Sequence, residues 1–389
     1  MRERAKEGST LEQRDMAIKY ISTAVRGAAH SADVLDVAVS THHTITVSGD
    51  GYLKMWKNAD FDRSLELEIL VDKLGLHHLS IYEDTLPGGL KVFLICSIGF
   101  SGNLYMHRFD YSTKELNLLD FKGVSGTSYW APSFAKDVEN GQNHILAVTS
   151  VNGYSHVFKM DFSDEQFPTL PQFEKKGEVF ANNDSFATCI DIDIEEMKIV
   201  VGHQDGLSYL YDLNHLMLLF TLESYGLKES SLSVVRDVSF SPKGDLLAIA
   251  RDSGAYGSIG LYDVRYGEFL GTLTVATHSS NVGIGGYAHK SWCMSICFNE
   301  DGMLLASGGM DGKVRIWDVE NKSCEATLSL STTDLSDKDL VEKSDLDEAS
   351  CVALTFVPKG AILEDGKNDG LVVVGLDRAV RWFREAGGI

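Results

Sequence analysis

AHKSWCMSICFNEDGMLLASGGMDGKVRIWDVENKSCEATL, residues 288–328, decides the fold. Met294, Ile296 and Phe298 alternate with small or polar residues, the period of a half-buried strand. Asn299-Glu300-Asp301-Gly302 is a turn, and Leu304-Leu305-Ala306-Ser307 is a continuous apolar run. Asp311-Gly312 reads as a hairpin turn, because glycine accepts positive φ without strain. Val314, Ile316 and the Trp317-Asp318 pair complete a third strand, and residues 324–328 supply a fourth. Alternation with turns at this spacing predicts four short antiparallel strands in succession.

The pattern recurs. Asp50-Gly51 leads to Trp56, Ser101-Gly102 to His107, Asn152-Gly153 to Phe158, and Asp205-Gly206 to Tyr211. Tyr256-Gly257 leads to Tyr262, Asp311-Gly312 to Trp317, and Asp377-Arg378 to Phe383. In every case the landmark lies five residues past the second turn residue, and the series has seven members. The His, Gly and Trp-Asp landmarks in a unit of about 40 residues resemble a blade of a WD-repeat propeller. The expected fold is therefore all-β, a seven-bladed WD-repeat β-propeller forming one cooperative ring.

The expected blades cover residues 30–70, 76–121, 129–173, 185–222, 232–273, 288–328 and 349–389. Residues 1–15 are charged, lack β alternation and read as a flexible extension; residues 16–389 read as the single propeller. Little chain follows Phe383, so residues 17–25 are expected to supply the outer strand of the last blade and close the ring. Closure removes the open sheet edge that invites aggregation.

His289, Ser307, Asp311 and Trp317 fall within one unit and contain the residue types of a catalytic triad. In WD blades these types form a buried hydrogen-bond chain that satisfies its members together. A nucleophilic serine would also need exposure and an oxyanion site, and nothing nearby supplies either. The His77-His78 pair reads as a capping landmark rather than a metal site, and Gly202-His203 is given no role.

Composition narrows the function. Lys plus Arg number 35 against 56 Asp plus Glu, a formal charge of −21. Phosphate neutralisation dominates nucleic-acid affinity, so direct nucleic-acid binding is not expected. Six cysteines sit mostly in strand patterns; Cys293 and Cys297 lie four apart on one strand, too far to bridge, and all six read as reduced. No apolar run reaches membrane-spanning length and the first residues lack a signal-peptide core. No cofactor or metal is expected. The segment 329–349, with seven acidic and two basic residues, reads as a solvated loop.

Several stretches resemble the fungal Ski-complex WD-repeat subunit, the superkiller protein 8 family. They are DRAVRWFREAGGI at 377–389, GDGYLKMW at 49–56, GLHH at 75–78, SPKGDLLAIARDS at 241–253, YGSIGLYD at 256–263, THSS at 277–280, AHKSW at 288–292 and DGKVRIWDV at 311–319. The resemblance implies a non-catalytic scaffold that joins a tetratricopeptide subunit and a DExH RNA helicase and supports 3′→5′ mRNA decay by the cytoplasmic exosome. It also implies a nuclear role, binding the topoisomerase-like nuclease that makes meiotic double-strand breaks. The chain alone is expected to be monomeric and to work in a hetero-complex. A scaffold in the Paf transcription elongation complex is the alternative, with a propeller hydrolase a distant third.

In this family partners are thought to dock on the face where the d–a and b–c loops emerge. Counting six residues back from the end of each innermost strand gives Asp33, Phe186 and Trp292. The residues just before the hairpin anchors give Phe100, Met310 and Leu376, Trp130 heads the third blade, and Arg378 replaces a hairpin glycine. Large apolar side chains at solvent-facing loop mouths are expected where a partner covers them.

Overall fold

The computed structural model describes residues 20–86, 89–136, 144–163, 169–181, 184–223, 233–254, 256–275, 286–335, 349–359, 361 and 370–386. They form seven four-stranded antiparallel sheets. Six are sequential meanders, beginning with Val34–Val39, His43–Ser48, Tyr52–Lys57 and Leu65–Leu70. The others run from Leu76 to Leu119, Tyr129 to Phe180, Ala187 to Leu222, Val235 to Leu273 and Cys293 to Ser329. The outer strand of the third sheet, Gln172–Phe180, extends past the expected end at Phe173.

The seventh sheet joins the chain's two ends. Ala353–Phe356, Gly370–Val374 and Val380–Glu385 are completed by Tyr20–Arg26, which pairs antiparallel with Val380–Glu385. This is the expected closure by an N-terminal strand; its described part, Tyr20–Arg26, ends one residue past the expected 25, and residues 17–19 lie outside the described residues. Residues 1–15, THSS, most of the acidic segment and the last three residues lie outside the described residues.

Burial follows position within each blade. The second strands, such as His43–Ser48, His144–Ser150 and Gly370–Val374, are buried throughout because neighbouring sheets cover both faces. Outer strands such as Leu65–Leu70 are largely exposed and carry glutamates that discourage edge pairing. In the first, third, fourth, fifth and sixth sheets the third-to-fourth strand register shifts immediately at the aromatic landmark: Trp56, Phe158, Tyr211, Tyr262 and Trp317. A bulge re-aims a side chain, and here it accompanies rings buried in the seams between sheets.

Innermost strands are stitched together around the channel by polar side chains. The Asp36 carboxylate accepts from Val37 N at 2.8 Å and Leu79 N at 2.7 Å, linking the first blade to the second. Asp191 accepts from Ile192 N and Phe240 N, both at 2.9 Å. Asp237 accepts from Val238 N at 2.9 Å and Ile296 N at 2.8 Å. Ser80 Oγ accepts from Phe134 N, and Ser295 Oγ accepts from Leu354 N.

The last seam has its own lock. Trp382 Nε1–H donates to Thr44 Oγ1 at 3.1 Å, and the same hydroxyl donates to Asn58 Oδ1 at 2.8 Å. Trp56 and Trp382 meet edge-on at 6.4 Å inside an apolar cluster shared by the first and last blades.

Candidate functional site: an aromatic cleft at the channel mouth

In the sixth blade Trp317 Nε1–H donates to Ser307 Oγ at 2.8 Å. The serine hydroxyl lies 2.8 Å from His289 Nε2, and His289 Nδ1–H donates to Asp311 Oδ1 at 2.9 Å. His289 and Ser307 are completely buried. Burial pushes the Asp311 carboxyl up, but the hydrogen bond and charge of His289 outweigh it and hold the carboxyl well below its ordinary range. This serine is enclosed by tryptophan and histidine, so the geometry is that of a brace between the entering chain and the hairpin.

A second brace was missed in the sequence. His30 Nε2 lies 2.8 Å from Thr46 Oγ1, Trp56 Nε1–H donates to that oxygen at 3.0 Å, and His30 Nδ1 lies 3.1 Å from Asp50. The hydroxyl precedes the aspartate by four residues and the tryptophan follows it by six in both blades, which is the signal that could have found it. His203 also has a structural part, because its Nδ1 sits 2.9 Å from Ser185 O, closing the fourth blade in the same place.

The docking candidates divide. Phe100, Trp130 and Phe186 converge on one cleft of about 480 Å³ at the channel mouth. Its wall is a run of rings: Phe100 to His77 at 4.8 Å, His77 stacked on Trp130 at 4.2 Å, and Trp130 edge-on to Phe186 at 4.8 Å. Asp36, Asp237 and Ser295 line the same cleft. Trp292, 41% exposed, does not line the cleft but packs against Arg236, which does. The Arg236 guanidinium, itself a lining group, packs 4.6 Å from the Trp292 ring. The Trp292 indole N–H donates to Gly254 O at 3.0 Å, and Arg236 is held by Asp252.

Asp33, Met310, Leu376 and Arg378 do not line the cleft. Asp33 O accepts from Gly49 N, and Met310 N donates to Trp292 O, so their backbones brace neighbouring turns. Arg378 adopts φ 63° at the hairpin where other blades place glycine, and its carbonyl accepts from Ala29 N.

His77 and His78, expected as a capping landmark rather than a metal site, also line the cleft. His77 Nε2–H donates to Gly99 O at 3.1 Å, which does tie the hairpin. That leaves its Nδ1 to accept from His78 Nδ1, 2.6 Å away. The His77 ring is therefore neutral. Burial lowers His77 to about 4 and drives His78 well below its ordinary value. Burial also raises the Asp36 and Asp237 carboxyls to about 7, with their amide hydrogen bonds acting the other way.

Among the described residues no group of three His, Cys, Asp or Glu side chains stands close enough to hold a metal ion. No helix among them is long and apolar enough to cross a membrane.

Seven closed sheets, the two braces and the loop-mouth cleft define a WD-repeat β-propeller of the scaffold class, typically non-catalytic. The WD domain, G-beta repeat family model matches residues 23–57 and 284–318. The chain is 36% identical to the antiviral protein SKI8 of Saccharomyces cerevisiae over 96% of its own length and 100% of that protein. It therefore belongs to the SKI8 family. It is 29% identical to the meiotic recombination protein rec14 of Schizosaccharomyces pombe, over 65% of this chain and 73% of that one. Similarity to the small ribosomal subunit protein RACK1 of Schizosaccharomyces pombe is narrower, 28% identity over 34% of this chain and 38% of that protein.

Proposed function

We propose that the chain is a non-catalytic scaffold of a Ski complex, docking short basic-hydrophobic segments in the cleft between Phe100, Trp130 and Phe186. The partners are a tetratricopeptide subunit and, within the same assembly, a DExH RNA helicase, in cytoplasmic 3′→5′ mRNA decay by the exosome. A second, nuclear role is binding of a meiotic topoisomerase-like nuclease, in keeping with the likeness to rec14. The observation that carries this reading is the cleft itself, a wall of four rings over carboxylates in a chain of charge −21. An aliphatic or aromatic side chain fits the wall, and a basic one complements the carboxylates. The burial of Ser307 between Trp317 and His289 supports a scaffold over a hydrolase.

Co-purification with the tetratricopeptide subunit tests the proposal. Phe186→Ala and Trp292→Ala should each weaken recovery while the far-ultraviolet spectrum stays unchanged. Full recovery with both variants would remove the cleft from the docking surface.

A further inference from the structure

A second cavity of about 350 Å³ opens at the opposite ends of the strands, in the seam between the first and second blades. We propose that it binds an acidic peptide segment carrying one aromatic or aliphatic side chain, a site separate from the channel-mouth cleft.

The cavity belongs to the a–b and c–d turns, whereas the cleft belongs to the d–a and b–c turns. His42 stands in the turn between the first two strands of the first blade, and Ala59 in the turn after Tyr52–Lys57. Tyr111 and Lys114 come from the corresponding turn of the second blade. The lining is mainly apolar, with Phe109 and Tyr111 edge-on at 5.2 Å beside the His43 ring.

The charges are unusual for this chain. Lys57 lines the cavity and forms no ion pair among the described residues. Lys114 is largely exposed and reaches Glu66 at 2.8 Å. The Lys91 ammonium lies 5.4 Å from the Tyr111 ring. The carboxylates nearby are already engaged: Glu66 accepts from His43 Nε2 and Lys114, and Glu83 accepts from Thr41 and Tyr111. In a chain of net charge −21, the lining of this apolar pit carries two lysines, Lys57 and Lys114, against one carboxylate, Glu66, which is already engaged.

A peptide offers an apolar side chain for the rings of Phe109, Tyr111 and His43 and carboxylates for Lys57 and Lys114. An inorganic anion offers only the last of these.

The probe is an unlabelled peptide, Gly-Asp-Phe-Asp-Gly, titrated into the full chain and followed by saturation-transfer and line-broadening nuclear magnetic resonance. Gly-Asn-Phe-Asn-Gly is the neutral control. The expected result is binding of the acidic peptide, about tenfold weaker for the neutral one and for the Lys57→Glu/Lys114→Glu double variant. Both lysines are surface groups, and an unchanged melt of the double variant verifies its fold. Trp130→Ala should leave this binding intact, which separates the site from the proposed docking cleft. No binding of the acidic peptide, equal binding of both peptides, an unaffected double variant, or loss with Trp130→Ala would each overturn the proposal.

Discussion

Replacing Thr44 by valine keeps the shape of the seam between the first and last blades and removes one hydroxyl. That hydroxyl is 1% exposed, and it is the acceptor for Trp382 Nε1–H and the donor to Asn58 Oδ1. Trp382 and Asn58 are each 2% exposed, so water cannot replace the lost partner. Each stranded buried group costs about 1–3 kcal/mol, and the pair about 2–6 kcal/mol. A ring of roughly 370 residues has an unfolding entropy of about 0.8 kcal/mol/K, so Tm should fall by about 3–8 °C. Thr221, exposed on an outer strand, is the control, and Thr221→Val should shift Tm by less than about 1 °C. Calorimetry and urea unfolding of the three proteins measure the difference. Equal melts for Thr44→Val and the parent would refute the idea that this hydroxyl locks the seam.

Other expectations follow from the same geometry. Deleting residues 16–26 should lower Tm sharply, because the last sheet loses its outer strand and the ring its closure; an unchanged melt would contradict that. His30→Ala and His289→Ala should each destabilise by about 1–3 kcal/mol in urea unfolding, since each removes the buried ring that bridges a hydroxyl and an aspartate, while the aspartate keeps its amide donors. Gly206→Ala should be strongly destabilising, as φ is +87° and the new Cβ would meet Ser233 O at 2.2 Å; a neutral effect would mean the hairpin relaxes freely. Protonation adds a pH signature. His77 titrates near 4 when folded and near 6.5 when unfolded, so the folded state holds fewer protons between these values. Its contribution is complete above pH 6.5 and is lost as pH falls toward 4, and His78 acts in the same direction. Only the comparison isolates this group: in parallel melts between pH 7 and 4.5, His77→Gln should lose less stability than the parent on acidification. Asp36 and Asp237 have raised folded values and act oppositely, their contribution fading as pH rises through about 7.

The sevenfold spacing was legible because each turn pair and its landmark lie five residues apart, a local pattern that bulges and burial then reuse. The closing strand itself is legible in the alternation of Tyr20, Ser22 and Ala24, residues that pair with the last strand. Phe100, Trp130 and Phe186 were reachable by counting to the loop mouths, since blade geometry fixes where those positions emerge. Asp33, Met310 and Leu376, reached by the same counting, do not line the cleft. Asp36, Asp191 and Asp237 escaped notice because one aspartate in an apolar strand reads as a solvent-facing residue. Its partners are amides in the next blade, more than 40 residues away, and no periodicity reports them. The His30 brace was obscured by threonine standing where the sixth blade has serine. The blade 1–2 cavity joins turns about 50 residues apart, so it emerges only when adjacent sheets pack.

The central claim is that the aromatic cleft at the channel mouth is the docking surface of this scaffold. Calorimetric titration of the full chain with a basic-hydrophobic segment from the tetratricopeptide subunit tests it most directly, with Trp130→Ala and Trp292→Ala in parallel. The account predicts micromolar or tighter binding, abolished by Trp130→Ala and weakened by Trp292→Ala. Binding of the same strength by the parent and by both variants would contradict it.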